Sequence, residues 1–425
     1  MKYWKNRLPE IIICSLIIIM ILFSHGFGQG ESNARALGMG GAYNALVCDL
    51  EAPNWNPANL GLSDGKNCSV AIINLGMRMR NNSSSLADYN RYNGKYLTTQ
   101  DKNRILNSIP ESGLNINVGA EASALNFSVG HFALTYKAVA SSDVFLDRDP
   151  FKLLFLGNAV VRTVSLSRTQ SEAFALADIA LSYGRNIRTW PGGELSIGGN
   201  IHYLRGLAYE KVMESDGGVA TTDTGFVGSG FVRFHTATGG SGFSSDLGLA
   251  CRFHEDWYFS ASIQNLYCKI AWNTNTKESI YSFNMKPVTL ETIINENESN
   301  SLVSKSDTSY GIYGFSSKLS PIVKLGLARK YRKLIWSAEW DQALAQGPTQ
   351  SINPRFAGGI EYKPWKFLPL RAGMAFGGGQ GAVFSTGFGL HYHPYEFDLG
   401  MANCGSPLPS HSSGARLAMG MALRF

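Results

Sequence analysis

Three groups of residues carry types that could do chemistry. Ser196 and His202, as nucleophile and base, would suit acyl transfer; His391 and His393 would suit a metal; Gly38, Gly40 and Gly41 in "LGMGGA" would suit a phosphate-cradling loop. Each fails on spacing or context. Ser196 and His202 share a face but stand six residues apart on one extended segment, too far for the hydrogen bond that activates a nucleophile, and there is no G-x-S-x-G elbow. The two histidines lack a defined third ligand. The glycine run lacks the preceding strand and following helix of a dinucleotide loop. Beyond the leader, Cys48, Cys68, Cys251, Cys268 and Cys404 are odd in number with no C-x-x-C pair, so neither a disulfide framework nor a zinc site is expected. No enzyme, cofactor or metal centre is expected.

The elements that must position these residues are strands. In "ARLAMGMALRF", Ala415, Leu417, Met419, Met421, Leu423 and Phe425 are apolar and alternate with Arg416, Ala418, Gly420, Ala422 and Arg424. A period of two over such a length gives a strand with one greasy face and one polar or small face, long enough to cross a bilayer when tilted. Composition agrees. Glycine is abundant at 46 residues and only 16% of residues are charged, against about 25% in soluble domains. No long apolar run follows the leader, so a helical membrane protein is disfavoured, whereas lipid-facing and lumen-facing residues of a barrel alternate and escape hydropathy scans.

The leader carries Lys2, Lys5 and Arg7, an apolar core from Ile11 to Phe23, and the small residues Gly26, Gly28 and Gly30; residues 1–28 read as a cleaved secretory signal peptide. Removing those three cations and Glu10 lowers the formal charge from +6 to +4, which does not single out nucleic acid as a partner.

Alternating segments fall at 67–79, 113–128 and 131–141, then as hairpins around the turns at Trp190 to Gly193, His254 to Asp256, Lys363 to Lys366 and His393 to Tyr395, and finally at 414–425. With 318–329 and 333–345 they make fourteen strands; counting two weaker segments near 229–237 and 279–286, read as loop structure, would make sixteen. Long connections at 80–112, 143–170, 214–242 and 273–317 each join an odd strand to the next even one, while the others are short. The expectation is an all-β, 14-stranded antiparallel transmembrane β-barrel spanning 67–425, with long extracellular loops and both termini periplasmic. A lumen of that size leaks unless plugged. Residues 29–66 are the candidate hatch. They include "EAPNWNPANLGL", where Asn56 can cap a single helical turn with Pro57 at its first position and Gly61 ending it. Trp55 and Leu60 can anchor that turn to the wall, and Gly38, Gly40 and Gly41 let the chain pass close to it.

"ARALGMGGAYNALVCDLEAPNWNPANLGL", with the later "SIQNL", the xLGLA strands and the terminal Phe425, resembles the FadL/TodX superfamily of outer-membrane transport proteins, including its PorV/PorQ-like relatives. The resemblance spans nearly the whole mature chain. It implies a fourteen-strand barrel in a Gram-negative outer membrane, closed by an N-terminal hatch whose Asn-Pro-Ala element corresponds to Asn56, Pro57 and Ala58. Phe425 resembles the signal recognised by the barrel-assembly machinery.

In the third-to-fourth connection, Asp149 can cap a helix whose Phe151, Leu153, Leu154, Phe155 and Leu156 are too apolar for an open loop. They form either a groove for hydrophobic cargo or a lid over the barrel mouth. In the first long connection, Thr98 or Thr99 can cap a second helix. The expected lumen charges, among them Asp178, Arg185, Asp246, Arg252, Glu361, Arg371, Asp398 and Arg424, mix both signs, which favours cross-strand ladders over ion selectivity. Two functions follow. One is passive uptake of hydrophobic or amphipathic, fatty-acid-like molecules through a hatch-gated lumen. The other is a PorV-like barrel serving as a platform for secreted or surface protein partners.

Overall fold

The computed structural model describes residues 30–64, 68–289, 303–346 and 351–425; the leader expected over 1–28 lies outside the described residues. In chain order the strands are β1 (Cys68–Asn81), β2 (Leu114–Val129), β3 (Phe132–Leu146), β4 (Thr163–Ser165), β5 (Gln170–Trp190), β6 (Gly193–Thr222), β7 (Gly225–Ala237), β8 (Gly239–Phe253), β9 (Trp257–Thr274) and β10 (Lys277–Val288). They continue with β11 (Val303–Gly311), β12 (Phe315–Ser317), β13 (Ile322–Tyr331), β14 (Leu334–Ala343), β15 (Arg355–Trp365), β16 (Leu368–Gly377), β17 (Ala382–Tyr392), β18 (Tyr395–Cys404) and β19 (Gly414–Arg424).

Fourteen of these make the wall: β1, β2, β3, β5, β6, β8, β9 and β13 to β19, each antiparallel to its neighbours. The ring closes where β1 pairs β19, Ser69 opposite Arg424 and Arg80 opposite Gly414, so the ring itself leaves no edge strand. Alternation sorts the side chains. Leu75, Met77, Leu181, Ile201, Leu247, Ile360, Leu370 and Met401 are exposed on the outside, as a lipid belt requires. Aromatic residues gather at the hairpin turns: Phe132 lies 4.8 Å from Tyr183, Trp257 5.3 Å from Trp336, and Phe367 5.7 Å from Tyr392 between ring centroids. Amphipathic rings at that level mark a membrane–water interface. No helix of the described residues is long and apolar enough to cross a membrane.

The two weak segments are strands after all, but not staves. β7 pairs the outer half of β6, from Tyr209 opposite Ala237 to Thr222 opposite Gly225; β10 pairs β7 and β11 pairs β10. They form a sheet rising from the long-loop end, which is why the wall keeps fourteen strands although more segments alternate. The stretches 214–242 and 273–317 are therefore largely folded sheet rather than open loop, with 290–302 outside the described residues. One stave is broken: β12 and β13 both pair β9, through Ser317 opposite Ile270 and Ile322 opposite Gln264, with no ladder between those two points.

Candidate functional site: a plug pinned inside the barrel

Residues 30–64 lie inside the ring. They form a helix Ala34–Gly38, capped by Asn33 accepting from the Ala36 amide, and two 3-10 turns, Asp49–Asn54 and Pro57–Gly61. Short capped turns satisfy their own backbone groups, which a narrow lumen demands. Met39, Tyr43, Leu46, Ala52, Trp55, Ala58 and Leu60 make one buried cluster with Ala250, Tyr258 and Ala328 of the wall. Trp55 stands edge-on to Tyr43 at 5.7 Å, and the Lys324 ammonium lies 4.3 Å from its ring centre.

Asn56 is completely buried. Its Oδ1 accepts from the Ala58 amide at 3.0 Å, capping the turn that Pro57 begins, while Nδ2 donates to the Leu249 carbonyl at 3.0 Å. One side chain therefore both shapes the turn and ties it to β8. The Ala58 carbonyl accepts from Ser196 Oγ at 2.5 Å, so Ser196 holds the plug rather than facing a base. Gly61 is the last residue of the turn, as expected, and its φ is not left-handed. Smallness is its role, because a Cβ there would collide with the Arg185 backbone. Gly40 and Gly41 do adopt left-handed φ, +69° and +81°, and a Cβ on Gly40 would come within 2.7 Å of the Met374 amide nitrogen. Gly38 abuts Gly387.

The wall answers with small residues that sequence reading had not singled out. Gly184, Gly198 and Gly248 are mutually paired on β5, β6 and β8, and a Cβ on Gly198 would lie 2.5 Å from the Ala58 nitrogen. Gly359 and Gly373 pair on β15 and β16 against Met39. Gly387 and Gly400 pair on β17 and β18, and there the helix Ala34–Gly38 is seated. The readable signal was glycine on the lumen parity of successive strands.

Polar contacts pin the plug around the circumference. Arg35 donates to Glu361 at 2.8 and 3.0 Å, and Glu361 also accepts from Arg371 at 2.7 Å, which reaches Asp398 at 2.6 Å. Glu339 accepts the Tyr43 and Asn44 amides, both at 2.8 Å. Arg424 meets Asp49 at 2.8 Å and Glu396 at 2.8 Å. Across the lumen, His202 lies between Asp178 at 3.0 Å and Asp246 at 2.9 Å, Lys137 donates to Asn54 at 3.0 Å, and Asn200 to the Pro53 carbonyl at 2.7 Å. Several wall pairs stand directly opposite one another: Lys137 and Asp178, Glu361 and Arg371, Glu194 and Arg252. Arg185 departs from the expected lumen set. It falls in phase with the outward Leu181 and Tyr183 and is exposed.

His391 converges with Glu396 and Asp398 closely enough to share an ion. Arg371 already engages Asp398 and Arg424 engages Glu396, so the carboxylates have cationic partners. His393 occupies the turn that follows β17.

Where the plug ends, Asp64 accepts from Arg252 at 2.6 Å, Lys330 at 2.7 Å and the Tyr258 hydroxyl. Burial alone would raise this carboxyl; the Lys330 ammonium, with the Tyr258 and Arg252 contacts, outweighs it and holds the group below the usual carboxylate range.

The helix expected in the third-to-fourth connection is Asp149–Leu156. Asp149 lies in its first turn and pairs with Lys152 at 2.9 Å, while the cap position is Arg148 without a side-chain bond; Asp149 is therefore not the cap. Phe151, Leu153, Phe155 and Leu156 are half-buried, and Leu154 is 74% exposed. The helix rests on a second one, Thr99–Ser108, which is closed by a Thr98–Asp101 capping box. Arg148 joins the two through the Leu106 carbonyl at 2.8 Å. Beyond the plug, toward these helices, Phe174, Leu176, Leu204, Tyr209, Ile270 and Trp272 form an apolar cluster on one side of the lumen, with Phe315 and Leu319 packed against it.

A family of unknown function, DUF5723, matches residues 57–230. No curated protein matches. Among solved structures, a CymD monoaromatic hydrocarbon channel is 12% identical, with 94% of this chain and 99% of that one covered at a TM-score of 0.52. A FadL homologue from Pseudomonas aeruginosa is 11% identical over 95% and 100% at 0.51, and a TodX deltaS2S3 mutant monoaromatic hydrocarbon channel is 11% identical over 94% and 99% at 0.51. At these identities the likeness is one of architecture: the chain has the fold of these channels, a closed 14-stranded antiparallel β-barrel with an N-terminal segment inside it.

Proposed function

We propose that the protein is an outer-membrane conduit through which hydrophobic or amphipathic small molecules pass, with residues 30–64 as its hatch, the short turns periplasmic and the long-loop end outside. The observation that carries this is the apolar lumen cluster of Phe174, Leu176, Leu204, Tyr209, Ile270 and Trp272. Greasy side chains are out of place in a water-filled channel and apt for an apolar cargo. The cluster lies beside the irregular stretch between β9 and the β12–β13 stave, where the regular ladder is interrupted and side-chain contacts such as Asn265 to the Ser320 carbonyl at 3.3 Å replace it; there apolar cargo has the least wall to cross. The half-buried Phe151, Leu153, Phe155 and Leu156, with Leu154 at the surface, line the approach. No catalytic step is assigned to the protein, and Phe425, whose amide bonds the Cys68 carbonyl at 2.9 Å, serves as the assembly signal.

A second reading, a platform for secreted or surface protein partners, draws on the β6–β7–β10–β11 sheet, where among the described residues β11 forms its ladder with β10 alone. Purification in mild detergent followed by mass spectrometry separates them. The transport reading expects co-purifying lipids, fatty acids or aromatic molecules that are lost when Leu204 and Ile270 are replaced by Asn; a stoichiometric protein partner with no small molecule would sink it.

A further inference from the structure

Between the plug and the wall formed by β13 to β17, with Arg78 of β1 and Arg416 of β19 at its border, lies a cavity of about 130 Å³, far larger than the roughly 10–15 Å³ that one water needs. Four cationic side chains line it, Arg78, Lys324, Arg355 and Arg416, against two carboxylates, Glu31 and Asp341. Two of those cations are already engaged: Arg355 is bound to Asp341 at 2.7 Å and to the Gly40 carbonyl at 3.1 Å, and Lys324 lies over Trp55. The excess positive charge therefore concentrates on Arg78 and Arg416. These two stand directly opposite each other on β1 and β19, an arrangement that costs free energy for like charges. Arg78 is only 3% exposed. Its Nη1 holds Glu31 at 2.7 Å, while Nε and Nη2 have no hydrogen-bond partner among the described residues. Arg416 donates Nη2 to Gln380, and its Nε is likewise unpartnered. Buried guanidinium N–H groups without acceptors are costly; both arginines border this one space, and a guanidinium fork suits an oxyanion.

We propose that this cavity binds an oxyanionic group, a phosphate, sulfate or carboxylate, through the unpartnered nitrogens of Arg78 and Arg416. The Glu31 carboxylate on Arg78 and the Gln380 side-chain carbonyl on Arg416 each take one arm of the site, leaving Arg78 Nε and Nη2 and Arg416 Nε without an acceptor among the described residues. An anion there relieves the Arg78–Arg416 repulsion and braces the plug against the seam. The site does not depend on the transport reading, because it needs only the plugged barrel.

Calorimetric titration of the full-length protein in detergent with sodium phosphate and with octyl phosphate, at constant ionic strength, tests it. Saturable binding is expected, weakened about tenfold or more in Arg416→Gln and largely restored in Arg416→Lys. The hydrogen bond that Arg416 makes goes to Gln380 of the wall, and heat-modifiable migration in gels verifies folding of the variant; Arg78→Gln serves as the second variant. Equal affinity for the two ligands identifies a free oxyanion. Much tighter octyl phosphate, still weakened in Arg416→Gln, identifies the headgroup of an amphiphile. No saturable binding, or binding that survives unchanged in both Arg416→Gln and Arg78→Gln, overturns the proposal.

Discussion

Asp64 shows how one side chain can fasten the plug, because it gathers Arg252, Lys330 and Tyr258 at the last described residue before β1. Its folded pKa is depressed, so the clamp contributes fully above the ordinary carboxylate value of about 3.9 and is lost as pH falls through the lowered value. Hydrogen exchange of residues 58–64 should therefore stay slow from neutral pH down to that window and quicken below it; Asp64→Asn should be quick throughout. Identical protection in the two proteins would remove Asp64 from the account. At this scale the Asn56-Pro57-Ala58 turn was legible in sequence, since capping and a first-position proline are local preferences. The partners of Asn56 were not, because the Leu249 carbonyl lies 193 positions away in the chain. Gly61 illustrates the same limit: it ends the turn as its sequence context suggested, but the smallness that its neighbours in space require could not be read there.

Strands were legible because alternation is a local pattern, and fourteen staves emerged at nearly the expected boundaries. What alternation does not contain is which strand a segment pairs with. β7 and β10 alternate like staves, yet their ladders run to the outer half of β6 and to each other rather than around the ring. The glycine rows are the clearest element-scale feature. Gly184, Gly198 and Gly248 align across three strands and let the Pro57–Gly61 turn lie against bare backbone. Gly198→Val should displace that turn, since overpacking costs about 1–3 kcal/mol even where neighbours can adjust and here the neighbour is main chain. The readout is a lowered midpoint of heat-modifiable gel migration together with faster exchange at residues 56–62. Outward Ile197→Ala, one residue away and facing lipid with 47% exposure, should leave both unchanged.

As a whole molecule, the protein is a closed ring whose polar inner face is spent on a plug. The mixed lumen charges that the sequence displays serve two ends in the structure: some pair across neighbouring strands, as Glu194 with Arg252, and others reach inward, as Glu339 to the Tyr43 and Asn44 amides. Their sum is near balance, which hid the local excess at Arg78 and Arg416; opposite positions on β1 and β19 are brought together only when the barrel closes. The central claim is that residues 30–64 hold the lumen shut. Planar-bilayer conductance of the intact protein and of a deletion of residues 31–62, each verified as a folded barrel by heat-modifiable migration, tests it most directly. The account predicts a nearly silent intact protein and large stepwise conductance in the deletion, as an unplugged lumen of this size should give; equal conductance in the two would contradict it.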